Sequence, residues 1–168
     1  GHSGLMPWST GSIASKIIRA SHVPVLMIRA AATITKPDGL FKKILVPLDG
    51  SPAGEAALPY VQEMVNALGS EAILLRVIES ELAVRSIGGS DHIMYPITLI
   101  EEIRQEAEKY LSQKKRSFPE GHVLTLIEAG NIARKILEVS DKEKVDIVAM
   151  STHGHSGIDR WMLGSISD

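Results

Sequence analysis

The sequence predicts an α/β fold: an open, parallel, five-stranded sheet with helices on both faces. Three observations carry this. Strand-length apolar runs alternate with helical patterns along most of the 168 residues. The run Val145-Asp146-Ile147-Val148-Ala149-Met150 reads as a buried parallel strand, and a small-residue loop follows it, closing on Gly164-Ser165 at the opening of a helix. That loop occurs twice. Residues 1–13 align without gaps on residues 154–166, so the chain begins where it almost ends. Small residues between a strand end and a helix start let main-chain N–H groups approach an anion closely. The helix N-terminus adds about half a positive charge. A phosphate is the natural occupant.

Residues 1–30 look like the tail of a domain whose head is missing. Ser12 is the expected N-cap of a helix with Ile13, Ile17 and Ile18 on one stripe. Val23-Pro24-Val25-Leu26-Met27-Ile28 reads as a strand that starts at Pro24 or lies at a sheet edge, because proline donates nothing to a ladder. Residues 31–40 read as a linker with a turn signal at its end.

A second α/β pattern spans residues 41–168. Lys43 to Leu48 is its first strand, and Asp49-Gly50-Ser51 turns it into a helix. Ser51 is the expected cap, with Pro52 at the first helical position, where its missing N–H costs nothing. Pro59 is expected to kink this helix, and Gly69 to close it. Ala72 to Ile78 is the second strand. Glu79 to Ile97 is a long connection that names no ligand. Thr98 and Glu101 form a capping box for a helix reaching about Ser117. His122 to Ile127 is the third strand. Gly130-Asn131 then opens a short helix with Ile132, Ile136, Leu137 and Val139 on its inner face. Val145 to Met150 is the fourth strand. Its following helix and fifth strand are absent from that end and present at the other, as residues 12–29.

Such sheets take ligands beyond the carboxyl ends of the strands, where the strand order reverses. The first and fourth strands flank that point, which brings Asp49 opposite the 151–165 loop. Composition narrows the classes further. An apolar share of 44% suffices for one core, and a net charge of −2 gives no basic field for nucleic acid or anionic lipid. There is no cysteine, hence no disulfide framework and no thiol chemistry. No apolar run reaches transmembrane length and no signal-peptide pattern is read, so a cytoplasmic protein is expected.

These residues resemble the universal stress protein family. Lys42-Lys43-Ile44-Leu45-Val46-Pro47-Leu48-Asp49-Gly50-Ser51 looks like its opening strand, Leu75-Arg76-Val77-Ile78 like its second, and Val145 to Met150 with the glycine loop like its fourth strand and nucleotide loop. The likeness covers the chain apart from the linker. It implies a Rossmann-like fold of the adenine nucleotide alpha hydrolase type, and the end of one domain followed by most of a second, as in tandem members. Nucleotide-binding members carry Gly-x-x-Gly, nine residues, then Gly-Ser or Gly-Thr. Gly154 and Gly164-Ser165 fit, as do Gly1 and Gly11-Ser12. Ser151 stands where that motif has its first glycine. The resemblance implies ATP, with or without Mg2+. It implies Asp49 near the ribose, the Val77 main chain against the adenine, and Gly154, Gly164 and Ser165 on the phosphates. Pro47, Met150 and Ser151 complete the expected site, and Gly1, Gly11 and Ser12 are its alternative phosphate set.

Plainer alternatives stand beside these readings. The glycine loop also reads as a tight turn, though its duplicated spacing and its place after a buried strand count against that; Asp49 also reads as a capping residue and Val77 as core. His153 and His155 lack a carboxylate or cysteine cluster, so no metal centre is expected. Trp8 and Trp161 occupy equivalent places and read as loop packing. Lys114-Lys115-Arg116 reads as solvated surface at a helix end. Asp49-Gly50-Ser51-Pro52 departs from the Ser-Gly-Gly-x-Asp-Ser loop of related adenylating folds. Binding rather than turnover is therefore expected, with slow ATP hydrolysis at most. The contrasting expectation is a nucleotide-free module that forms a homodimer through its edge strand. Residues 12–29 offer a further route to a dimer. The end of the fifth strand must reach the first across roughly 20–25 Å, and residues 30–42 span about 40 Å extended. Closure within one chain and exchange between two copies are both open.

Overall fold

The computed structural model describes residues 16, 20, 21, 23–27, 41–79 and 97–151. Among these, four strands form one parallel sheet in the order β3-β2-β1-β4. The strands are β1 (Lys43–Pro47), β2 (Glu71–Glu79), β3 (Val123–Gly130) and β4 (Ile147–Val148). The helices are α1 (Leu58–Leu68), α2 (Ile97–Lys115) and α3 (Ile132–Glu143), with a 3-10 turn at Gly54–Ala57 before α1. The α/β class with a parallel sheet is as expected.

Parallel strands covered on both faces must be apolar on both. Ile44, Leu45 and Val46 of β1, and Ala72 to Leu75 of β2, are completely buried. The pleat deals these residues alternately to two cores. Ile44, Val46, Ala72 and Leu74 pack with Leu58, Val61 and Val65 of α1 and Leu111 of α2. Leu45, Ile73 and Leu75 pack with Ile136 and Val139 of α3. Two helices on one face and the third on the other is what right-handed crossovers require when the chain first builds outward from β1 and then returns to its other side.

Several boundaries differ from expectation. Pro59 does not interrupt a helix: the segment after Ser51 runs first as the 3-10 turn, so Pro59 falls in the first turn of α1, where its missing N–H breaks no bond. Gly69, at φ 66°, closes α1 as expected, donating to the Val65 carbonyl at 3.0 Å. β2 and β3 each run on, to Glu79 and Gly130. Asn131 caps α3, its side chain accepting from the Arg134 N–H at 3.0 Å. Leu137 is not on the inner face; it is exposed.

β4 is shorter than the apolar run containing it, although Asp146 N–H to the Lys43 carbonyl and Ala149 N–H to the Leu45 carbonyl extend its pairing by one residue at each side. The strand expected over residues 23–28 is not found: residues 23–27 form no ladder, and Val23, Val25, Leu26 and Met27 are exposed. An apolar run of strand length becomes a strand only against an edge that pairs it, and Pro24 weakens it further. Lys16 and Ala20 are helical, in keeping with the helix expected after Ser12. Among the described residues no helix is long and apolar enough to cross a membrane.

Candidate functional site

The sheet ends unevenly at its carboxyl edge. β1 stops at Pro47, opposite Leu75, and its last bond to β2 runs from the Leu48 N–H to the Leu75 carbonyl at 2.8 Å. β2 and β3 stay paired for four more positions, from Arg76↔Ile127 to Glu79↔Gly130. A step is left above the end of β1, walled by β2. Main-chain groups alternate sides along a strand. Leu75 turns its carbonyl toward β1, so Val77, two residues on, turns its N–H and carbonyl the same way, above the last β1 bond. On the other side β4 is registered with β1 through Ile44↔Ile147 and Leu45↔Val148. Met150 and Ser151 therefore leave the sheet beside the end of β1.

Asp49 stands at the base of this step. Its Oδ1 accepts from the Ser51 N–H at 2.9 Å and from the Ser51 hydroxyl at 2.7 Å. The same hydroxyl accepts from the Gly54 N–H at 2.9 Å. Gly50 provides the left-handed corner, at φ 83°. Gly54 is needed for a different reason. It has no positive φ, but a Cβ there would collide with the Asp49 carboxylate. A larger side chain at this position fits only if the Asp49 carboxylate gives way.

Two supports brace the turn. Arg76 of β2 donates from Nη1 to the Leu48 carbonyl at 3.1 Å. Glu55 of the 3-10 turn receives the Tyr110 hydroxyl on Oε1 at 2.9 Å and the Lys114 ammonium on Oε2 at 2.6 Å. Burial, and then the Glu55 carboxylate, push the Tyr110 hydroxyl well above the usual phenol range.

Of the residues expected at the site, Pro47, Asp49, Val77, Met150 and Ser151 lie at this edge. Val77 and Met150 pack on the same core layer, so the side chain of Val77 is core, as its plainer reading held, while its main chain faces the step. Gly154, Gly164, Ser165, Gly1, Gly11 and Ser12 lie outside the described residues, as do His153, His155, Trp8 and Trp161. Sequence reasoning missed Gly54, Glu55, Arg76 and Tyr110, and it read Lys114 as solvated surface, whereas its side chain is mostly shielded and paired with Glu55. The signal for Gly54 was a glycine inside an expected helix; the others carry none that is local. Among the described residues no three His, Cys, Asp or Glu side chains gather as a metal would require. The chemistry these residues offer is hydrogen bonding, from one oriented carboxylate and from strand-end main chain.

Known proteins place the fold. A universal stress protein of Mycobacterium tuberculosis is 26% identical over all of this chain and 54% of its own length, so the chain spans about half the length of the curated relatives it matches first. A solved structure from Methanocaldococcus jannaschii, a universal stress protein 28% identical, superposes with a TM-score of 0.59 over 70% of this chain and 79% of that one. A universal stress protein crystallised in complex with cAMP, 16% identical, shares the fold at a TM-score of 0.50 over 76% of this chain and 86% of its own. The profile of the universal stress protein family matches residues 40–168. The chain belongs to the universal stress protein family.

Proposed function

We propose that this chain binds ATP in the step above β1 and serves a stress response by that binding rather than by turnover. The observation that carries the reading is the stepped carboxyl edge with Asp49 oriented at its base. An open α/β sheet takes ligands there. An oriented carboxylate suits ribose hydroxyls, and strand-end main chain suits the donor and acceptor edge of adenine. In this reading Asp49 takes the ribose and Val77 the base. Pro47 and Met150 form the walls, and Ser151 offers its N–H. Gly154, Gly164 and Ser165 hold the phosphates, or Gly1, Gly11 and Ser12 do so in their place. Mg2+ enters only as the counter-ion of the phosphates. The family relative in complex with cAMP makes an adenine nucleotide the ligand class to test first. The chain then works in the cytoplasm as a nucleotide-dependent signalling module.

Titration calorimetry with ATP tests this. Saturable binding is expected, lost in Gly164→Val with the fold retained. No heat at millimolar ATP overturns the proposal.

The exposed run Val23, Val25, Leu26 and Met27 favours a second reading, a nucleotide-free module that dimerises. Residues 12–29 of one copy then complete the sheet of another, or edge strands pair directly. Sedimentation separates the readings: a monomer mass unchanged with concentration excludes the dimer, whatever ATP does.

A further inference from the structure

We infer that Glu55 is a positioning residue for Asp49, and that Tyr110 and Lys114 of α2 hold it in place. The inference rests on the nucleotide reading for its ligand and goes beyond it by tying a helix outside the step to the site.

The connection is continuous. Tyr110 and Lys114 sit four residues apart, one turn of α2, and so share a face. Each takes one oxygen of Glu55, at 2.9 Å and 2.6 Å. The ammonium of Lys114 also lies 5.4 Å from the centre of the Tyr110 ring. About three quarters of the Glu55 and Lys114 side chains is shielded from solvent, with 25% and 23% exposed. This pair is thus less screened than the surface pair Arg104–Glu108, where both side chains are more than half exposed.

Glu55 follows Gly54 directly, and its N–H donates to the Ser51 carbonyl at 3.1 Å. Gly54 is packed against the Asp49 carboxylate, and its N–H reaches Asp49 through the Ser51 hydroxyl. Fixing Glu55 therefore fixes Gly54, whose N–H holds the Ser51 hydroxyl that donates to the carboxylate. A ligand that must meet a carboxylate at a set angle gains from having that angle fixed beforehand. Coupling of this kind is reciprocal: a nucleotide that holds Asp49 also tightens the docking of α2.

The test pairs ATP calorimetry on the full chain with hydrogen exchange at the Gly54 amide. Glu55→Gln keeps the size of the side chain and removes its charge. ATP affinity is expected to fall about tenfold, with faster exchange at Gly54 and a thermal midpoint within a few degrees of the parent. Tyr110→Phe should move both readouts the same way by less, and it serves if the first variant folds poorly. Lys114→Arg keeps the ion pair and should leave both within about twofold. A lowered midpoint with unchanged affinity would make Glu55 merely structural and overturn the inference. If the parent takes up no ATP, the nucleotide reading fails and the exchange arm decides alone. Faster Gly54 exchange in Glu55→Gln then supports the positioning role, and unchanged exchange overturns it.

Discussion

The two ends of this sheet are built differently. At the amino end the strands start nearly level, with Lys43 beside Glu71 and Ala72 beside Val123. Their loops are tied together there. Lys43 N–H donates to Asp146 Oδ2 at 3.0 Å while Asp146 N–H donates to the Lys43 carbonyl at 2.9 Å. Buried Ser70 donates its hydroxyl to the Phe41 carbonyl at 2.6 Å, and the Glu71 and Ala72 amides reach the Lys42 and His122 carbonyls. At the carboxyl end the strands stop at different heights, and the hydrogen bonds serve to aim one turn. Polar groups at the amino end close the fold; those at the carboxyl end prepare a surface. The difference teaches where to look for function: where pairing stops early and side chains hold the ragged end in one shape.

Adding a single methyl group should break the contrast most sharply. In Gly54→Ala the new Cβ overlaps the Asp49 carboxylate, which must swing away. ATP affinity is expected to fall about 100-fold, about 2.7 kcal/mol, in calorimetry. The thermal midpoint should fall by a few degrees only: the displaced carboxylate gives up its bonds from the Ser51 N–H and hydroxyl, while alanine itself is at ease in a helical turn. The mirror-image change is Asp146→Ala at the amino end. It leaves the Lys43 N–H without its carboxylate and should cost about 1–3 kcal/mol in urea unfolding, with ATP affinity within about twofold of the parent. Affinity loss in the second variant, or none in the first, would mean that the two ends do not divide the work in this way.

The amino end and the core were legible because their signals are local. Ile44-Leu45-Val46 and Ala72 to Leu75 are apolar on both faces, and that reads as a buried parallel strand without knowledge of partners. Asn131 announces a helix by its own chemistry. Asp49 was visible as the acid that follows the first strand. The supports of Asp49 were not. Tyr110 and Lys114 lie 55 and 59 residues from Glu55, and Arg76 lies 28 from Leu48. No periodicity records such a pairing. The 3-10 turn was hidden because Ser51-Pro52 is also a sound helix start, and Pro59 looked like a kink only for that reason. Val23 to Met27 misled in the opposite way. Composition states that a segment can be a strand, but the pairing edge decides, and among the described residues none pairs it.

The smallest effect sharpens the comparison by asking whether an ionisable group helps hold the carboxyl end. The Tyr110 hydroxyl is held protonated beyond its usual range, by burial first and by Glu55 second. A raised folded value means the unfolded chain ionises first, at about pH 10. Below that, both states carry the proton and the bond to Glu55 contributes in full, about 0.5–1 kcal/mol for a half-buried hydrogen bond. As pH climbs past 10 toward the folded value, unfolding releases a proton and the contribution drains away. The parent should therefore exceed Tyr110→Phe in stability at pH 8, with the gap shrinking between pH 10 and 11 in urea unfolding. Both proteins carry the same lysines, so the difference isolates the phenol. A gap that stays constant to pH 11 would show that the hydroxyl does not bear on Glu55, and the brace between α2 and the Asp49 turn would then rest on Lys114 alone.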